Sequence, residues 1–285
     1  MKKAQYKRFT RSTVATVFIL IILVIFGAFS LLPLLYCITT ALKPLDELLI
    51  FPPRFLVHNP TLENFKVLPT LLANLRVPLS RYIVNTVFVA VAGTVLHIIV
   101  ASAAAFVFSK TDLKFRNVYF AIVQFALLYN AVTLEVPRYL IFSNLNMIDT
   151  MSVYIIPYIP SALGVFLMKQ YMDGSIPDAL IEAAKMDGAG YFRIYTQIAL
   201  PIVKPAWLTL ALFAFRDLWS LQPVGTIFSE NLKTLVYATS SIATGGLARS
   251  GAAMAITVIM MLPPIFVYFV SQSSITETMS SSGIK

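Results

Sequence analysis

Between Arg11 and Lys43 lie 31 consecutive residues without a formal charge, and no other feature limits this chain so severely. A helix needs about 20 apolar residues to cross roughly 30 Å of hydrocarbon. Four more uncharged windows follow, at 82–109, 117–134, 150–168 and 250–276. A further stretch, from Ile202 to Gln222, is apolar apart from Lys204, Arg216 and Asp217. The expectation is an all-α polytopic membrane protein with six transmembrane helices. Their bounds are about 13–40, 82–108, 117–137, 150–170, 202–222 and 250–274, in a single transmembrane domain over 13–285 behind a tail of 1–12. Composition agrees, with 58% hydrophobic and 12% charged residues and a mean hydropathy of +0.79. A soluble domain carries about 25% charged residues, and it could not enclose this much hydrocarbon while keeping a polar surface. Cytosolic enzymes, disordered tails and secreted disulfide scaffolds are thereby excluded.

Six spans put both termini on one side, and the basic residues choose the side. One face would hold Lys2, Lys3, Lys7, Arg8, Arg11, Lys110, Lys114, Arg116, Lys169, Lys185, Arg193, Lys204 and Lys285. The other would hold Lys43, Arg54, Lys66, Arg76, Arg81, Arg138, Lys233 and Arg249. The bias is concentrated before the first span, so both ends are expected in the cytoplasm. The net charge of +9 is spread over loops rather than gathered in one patch, which speaks against nucleic acid. The first apolar stretch is too long for a signal peptide and no A-x-A site follows it. The single cysteine, Cys37, rules out an intrachain disulfide. Leu34-Leu35-Tyr36-Cys37 is a poor lipoprotein box, because Tyr36 stands where a small residue is needed; an ordinary buried thiol is the expectation. Outside, Phe51-Pro52-Pro53 and Asn59-Pro60 punctuate an irregular stretch whose apolar residues suit a membrane or a partner surface. No short repeat or low-complexity block is visible.

The segment 173–201 departs from this apolar background. Pro177 suits the start of a helix, and Ser175 with Asp178 has the spacing of a helix-start box. Ala179 to Met186 is a good helix former, closed by Asp187-Gly188. Leu180, Ala183, Ala184 and Asp187 share one face at i, i+3, i+4 and i+7. Gly190 lets the chain restart, and Ile194, Ile198 and Pro201 lead into the fifth span. The spacing predicts a short helix-turn-helix on the cytoplasmic side, with a small and mildly apolar outer face.

Glu182-Ala183-Ala184, Gly188, Ile198, Leu200 and Pro201 fill every fixed position of EAA-x3-G-x9-I-x-L-P. In this the chain resembles the binding-protein-dependent ABC importer permeases. Asn59 to Phe65, Arg81-Tyr82-Ile83-Val84-Asn85-Thr86 and the tail from Gln272 to Lys285 resemble the maltose-type carbohydrate group of that family. The chain departs from it where Trp219 is followed by Ser220 rather than by Asn and a Pro. The resemblance implies a permease fold whose cytoplasmic coupling helix docks on ATPases, with Glu182, Ala183, Ala184, Asp187, Gly188, Ile198, Leu200 and Pro201 forming the coupling segment. It implies two separate ABC ATPase subunits carrying ATP and Mg, a second homologous permease and an extracytoplasmic solute-binding protein. No cofactor is expected on this chain, which has no GxxxxGK[ST] loop to cradle a nucleotide.

Polar groups at bilayer depth are expensive and face a cavity or a partner. Arg216 and Asp217, about 12 residues past Lys204, are expected near mid-membrane, where they point about 100° apart and need partners from elsewhere. With Asn130, Glu135 and Trp219 they are candidates for the translocation path, against ordinary interhelical pairing. Tyr154 and Tyr158, at i and i+4, would form an aromatic face able to stack on a sugar, or simply pack. His97 is expected to be packed and hydrogen-bonded. The chain has no H-E-x-x-H and no G-x-S-x-G, so membrane protease and esterase chemistry have no footing. Two other classes compete. An ion-coupled secondary transporter would show helices broken in two corresponding halves, and a membrane scaffold for some other ATPase would transport nothing. A non-sugar cargo is the alternative within the family.

Overall fold

The computed structural model describes residues 13–73, 77–129, 131–222 and 225–282, which are helical or irregular, with no strand among them. The principal helices are α1 (Thr13–Ala41), α2 (Leu79–Lys110), α3 (Arg116–Ala126), α4 (Glu135–Asn144), α5 (Ala162–Ser175), α6 (Asp178–Met186), α7 (Tyr191–Ile202), α8 (Lys204–Trp219), α9 (Leu235–Ala243) and α10 (Ser250–Ser282). Three stretches are long and apolar enough to cross a membrane: Val14–Ala41, Leu79–Lys110 and Leu247–Gln272. Two bent pairs bring the number to five. Ser152–Tyr158 joins α5 at 40°, and α7 joins α8 at 81°. The stretch expected as a span at 117–137 is divided among α3, a 3-10 turn at Ala131–Leu134 and the start of α4. Counting uncharged residues cannot register such a break.

The chain forms two compact units, Met1–Val67 with Gly245–Val258 and Leu68–Thr244 with Ile259–Lys285. In the first, the end of α1 meets a loop tied by Asn64, whose side-chain amide donates to the Ala41 and Lys43 carbonyls at 2.9 and 2.7 Å. Gly251 backs onto the same Asn64, where a Cβ would come within 2.6 Å of the amide oxygen.

The second unit is built around α2, against which α5 and α8 pack. A β-carbon at Gly93 would lie 2.7 Å from a Leu218 methyl, and one at Gly164 would lie 3.2 Å from both Ala101 and Leu210. Small residues thus let helix backbones approach where hydrocarbon outside offers no hydrophobic drive for association. Ser161 caps α5 by accepting the Gly164 N–H at 2.8 Å. One core joins Ala101, Ala105 and Phe106 of α2 to Met168 and Met172 of α5, Ile181 and Ala184 of α6, and Ala206 and Leu210 of α8. A second gathers Val89, Ala90, Phe142, Tyr154, Leu218 and Trp219.

Candidate functional site

The helix expected at 179–186 is α6, one residue longer at its start. Pro177 stands at its N-cap position, and Asp187 follows its last residue. Ser175 closes α5 instead of capping α6, whose N-cap position falls two residues later, and the Asp178 carboxylate bonds Lys110. The anticipated stripe is split. Ala184 turns into the core together with Ile181, while Leu180, Ala183 and Asp187 are exposed beside Glu182. Met186 and Phe192 protrude furthest, 88% and 80% exposed. Gly188 has φ +79° with no atom within 4 Å of a built Cβ, so backbone handedness rather than space demands glycine there.

A clasp that the sequence reading missed holds the start of this segment. Lys110, at the last position of α2, donates to the Ile176 carbonyl at 2.7 Å and to Asp178 Oδ1 at 2.6 Å. Beside it, the Ser109 hydroxyl donates to Asp173 Oδ1 at 2.6 Å, and Lys169 pairs with the other oxygen of Asp173 at 2.6 Å. The hydrogen bond and charge of Lys110 hold the Asp178 carboxyl below the ordinary carboxylate range. The only available signal was Ser-Lys at the end of the second uncharged window, which names neither partner.

Ile198, Leu200 and Pro201 lie in a different setting from Glu182–Gly188. Tyr195–Ala199 is a π-helical turn within α7, and the Tyr195 hydroxyl meets the Ser102 hydroxyl at 2.7 Å. Ile198 packs on the core around α2, and the Leu200 carbonyl accepts Trp207 Nε1 at 3.2 Å. Leu200 and Pro201 therefore brace the 81° elbow between α7 and α8. They line an apolar groove of about 350 Å³ there, with Ile99, Ser102, Tyr195 and Trp207.

The expected path residues are scattered. Asn130 lies outside the described residues. Glu135 opens α4 and is exposed. Tyr154 is fully buried, its hydroxyl donating to the Leu232 carbonyl at 3.1 Å, whereas Tyr158 is half-buried in a 3-10 turn at Ile156–Tyr158. The tighter turn, which includes Pro157, removes the α-helical spacing that the i, i+4 reading assumed. His97 is packed as expected and, facing a carbonyl, donates from Nδ1 to Tyr158 O at 2.6 Å. Trp219 is buried, stacks on Phe215 at 5.5 Å and donates to Met260 O at 2.8 Å.

Arg216 and Asp217 require a correction. α8 ends at Trp219, so Arg216 sits in its last turn, where its charge complements the helix dipole. The two neighbours also pair directly, Arg216 Nη2 and Nε donating to Asp217 Oδ1 at 3.0 and 3.2 Å. The long guanidinium stem arches across the 100° that separates them.

A second anchor holds the 225–234 loop. Asp149 accepts the Phe228 and Ser229 N–H groups at 2.9 and 2.8 Å and the Ser229 hydroxyl. Glu230 accepts the Tyr82 hydroxyl and the Lys233 ammonium, each at 2.6 Å.

No family model matches the chain. Curated relatives do. It is 26% identical over 220 residues to the lactose transport system permease protein LacG of Rhizobium radiobacter, covering 76% of this chain and 80% of that one. It is 26% identical over 261 residues to the arabinooligosaccharides transport system permease protein AraQ of Halalkalibacterium halodurans, covering 89% and 90%. Over most of its length the chain is similar to ABC transporter permeases for sugars. A solved structure has the same fold: a bacterial ABC transporter involved in import of the acidic polysaccharide alginate, with a TM-score of 0.77 at 24% identity, covering 92% of this chain and 98% of that one. The chain is accordingly a multi-pass protein of the cell membrane.

Proposed function

We propose that this chain is the membrane subunit of an ATP-driven importer that moves a carbohydrate, an oligosaccharide, received from an external binding protein. ATP and Mg sit on two separate ATPase subunits, a second homologous permease completes the path, and both termini of a six-span chain lie in the cytoplasm. The observation that carries the reading is α6 itself. Ile181 and Ala184 key it into the core while Glu182, Ala183, Asp187 and Met186 face outward. Small residues let a partner approach closely, an acidic residue fixes its orientation, and Gly188 sets the exit of the chain at φ +79°. Carbohydrate cargo is supported by the named transport of LacG and AraQ.

The test is Gly188→Val in the reconstituted assembly. A β-branched residue in the left-handed region costs about 1–2 kcal/mol or more, so the exit from α6 shifts without a clash. The expected outcome is ATP hydrolysis that persists while binding-protein-dependent sugar uptake falls at least tenfold. Full coupled uptake by this variant, or purification without any ATPase, would overturn the reading.

A further inference from the structure

Residues 43–58 are built inside out. Lys43 is only 2% exposed and Glu47 only 6%. Both charges are satisfied within the loop: the Lys43 ammonium donates to the Arg54 carbonyl and lies 5.6 Å above the Tyr36 ring. Glu47 Oε1 accepts the His58 and Asn59 N–H groups, each at 3.0 Å. What the loop turns outward is mainly apolar, with Leu45, Leu49 and Ile50 exposed, Phe51 92% exposed and Leu56 67%, and its two exposed charges, Asp46 and Arg54, stand one before and one after the Leu49–Phe51 run. A loop made for water reverses this arrangement, since an exposed charge keeps its hydration and a buried one must be paired.

The loop also folds back along the helix it leaves. The Phe55 ring lies 5.8 Å from that of Tyr36, tilted by 40°, and Tyr36 lies five residues before the end of α1. At about 1.5 Å per residue, that is some 7 Å back into the span. α1 has 29 residues, about 43 Å at that rise, against roughly 30 Å of hydrocarbon. Its last turns therefore reach the depth at which headgroups meet acyl chains. The exposed residues of 45–56 continue the apolar surface of a span whose most apolar window is left uncovered by the described residues.

We propose that residues 45–56 form an interfacial segment that inserts Leu49, Ile50, Phe51 and Leu56 into the lipid at the end of α1. Arg54, exposed beside them, is left at headgroup level, where its guanidinium meets phosphate. The inference needs only that α1 crosses the membrane and is independent of cargo and ATPase.

The experiment uses the full-length permease in vesicles of phosphatidylethanolamine and phosphatidylglycerol, 3:1. In a Cys37→Ser background, a spin label is placed by Phe51→Cys, with Phe29→Cys in α1 and Glu63→Cys as references. Collision rates with oxygen and with a water-soluble nickel chelate are then compared. The expected ratio of oxygen to nickel collisions at position 51 is close to that at 29 and several-fold above that at 63. A ratio like that at 63 places the loop in water, and loss of both collision rates places it under protein; either overturns the proposal. Leu56→Cys is read by the same criteria, so a failure of Phe51→Cys to fold does not leave the question open.

Discussion

The segments 173–201 and 43–58 both expose apolar residues, yet only the second buries part of its charge. Around α6, the exposed Met186 and Ala183 alternate with exposed Glu182, Lys185 and Asp187. In 43–58, Lys43 and Glu47 are turned inward and bonded to backbone, and only Asp46 and Arg54 remain exposed. Apolar exposure alone is therefore ambiguous. The fate of neighbouring charges separates a surface that must orient a protein partner, where rim charges give specificity, from one that meets acyl chains.

Removing the hidden carboxylate should break the comparison most sharply. Glu47→Ala leaves two backbone donors without an acceptor, at about 1–3 kcal/mol for each unsatisfied group. Amide exchange across residues 45–59 should accelerate by roughly a hundredfold, with α6 unaffected; unchanged protection would mean that the buried carboxylate does not hold the loop. Lys110→Met tests the other segment. The ammonium bonds an exposed Asp178 and a carbonyl, and with solvent screening discounted the loss is about 1–2 kcal/mol. Opening of residues 176–187 should rise roughly tenfold, and Lys110→Arg should restore most of the protection. Equal exchange in Lys110→Met and the parent would show that core packing alone seats α6.

The smallest effect concerns the 225–229 loop. The Ser229 hydroxyl and N–H, with the Phe228 N–H, hold the Asp149 carboxyl below its ordinary range. A depressed pKa contributes stability that is complete above the unfolded carboxylate value of about 3.9 and fades as pH falls through the lower folded value. Protease susceptibility of 225–229 should thus be flat from neutral pH to about 4 and increase only below it. Asp149→Asn should remove that acid dependence.

Much of this was legible in uncharged runs and one loop motif. The window between Arg11 and Lys43 located α1 to within a residue, and Asp187-Gly188 located the end of α6. What escaped depended on geometry that spacing does not encode. Arg216 and Asp217 were read as idealised directions on a wheel, and a flexible side chain defeated that. Tyr154 and Tyr158 were read on an α-helix where Pro157 accompanies a tighter turn. The division of 117–137 into α3 and α4 left no mark in charge. Nor could the sequence pair Lys110 with Asp178, 68 positions away, because such a bond exists only once α2 and α5 have packed.

The contacts at Gly93 and Gly164 have a mechanical corollary. With Leu218 and Leu210 seated against backbone that bears no side chain, the seams joining α2 to α8 and α5 have no clearance left for gliding. A side chain added at either glycine would wedge these helices apart, so the closeness of the three depends on two missing methyl groups.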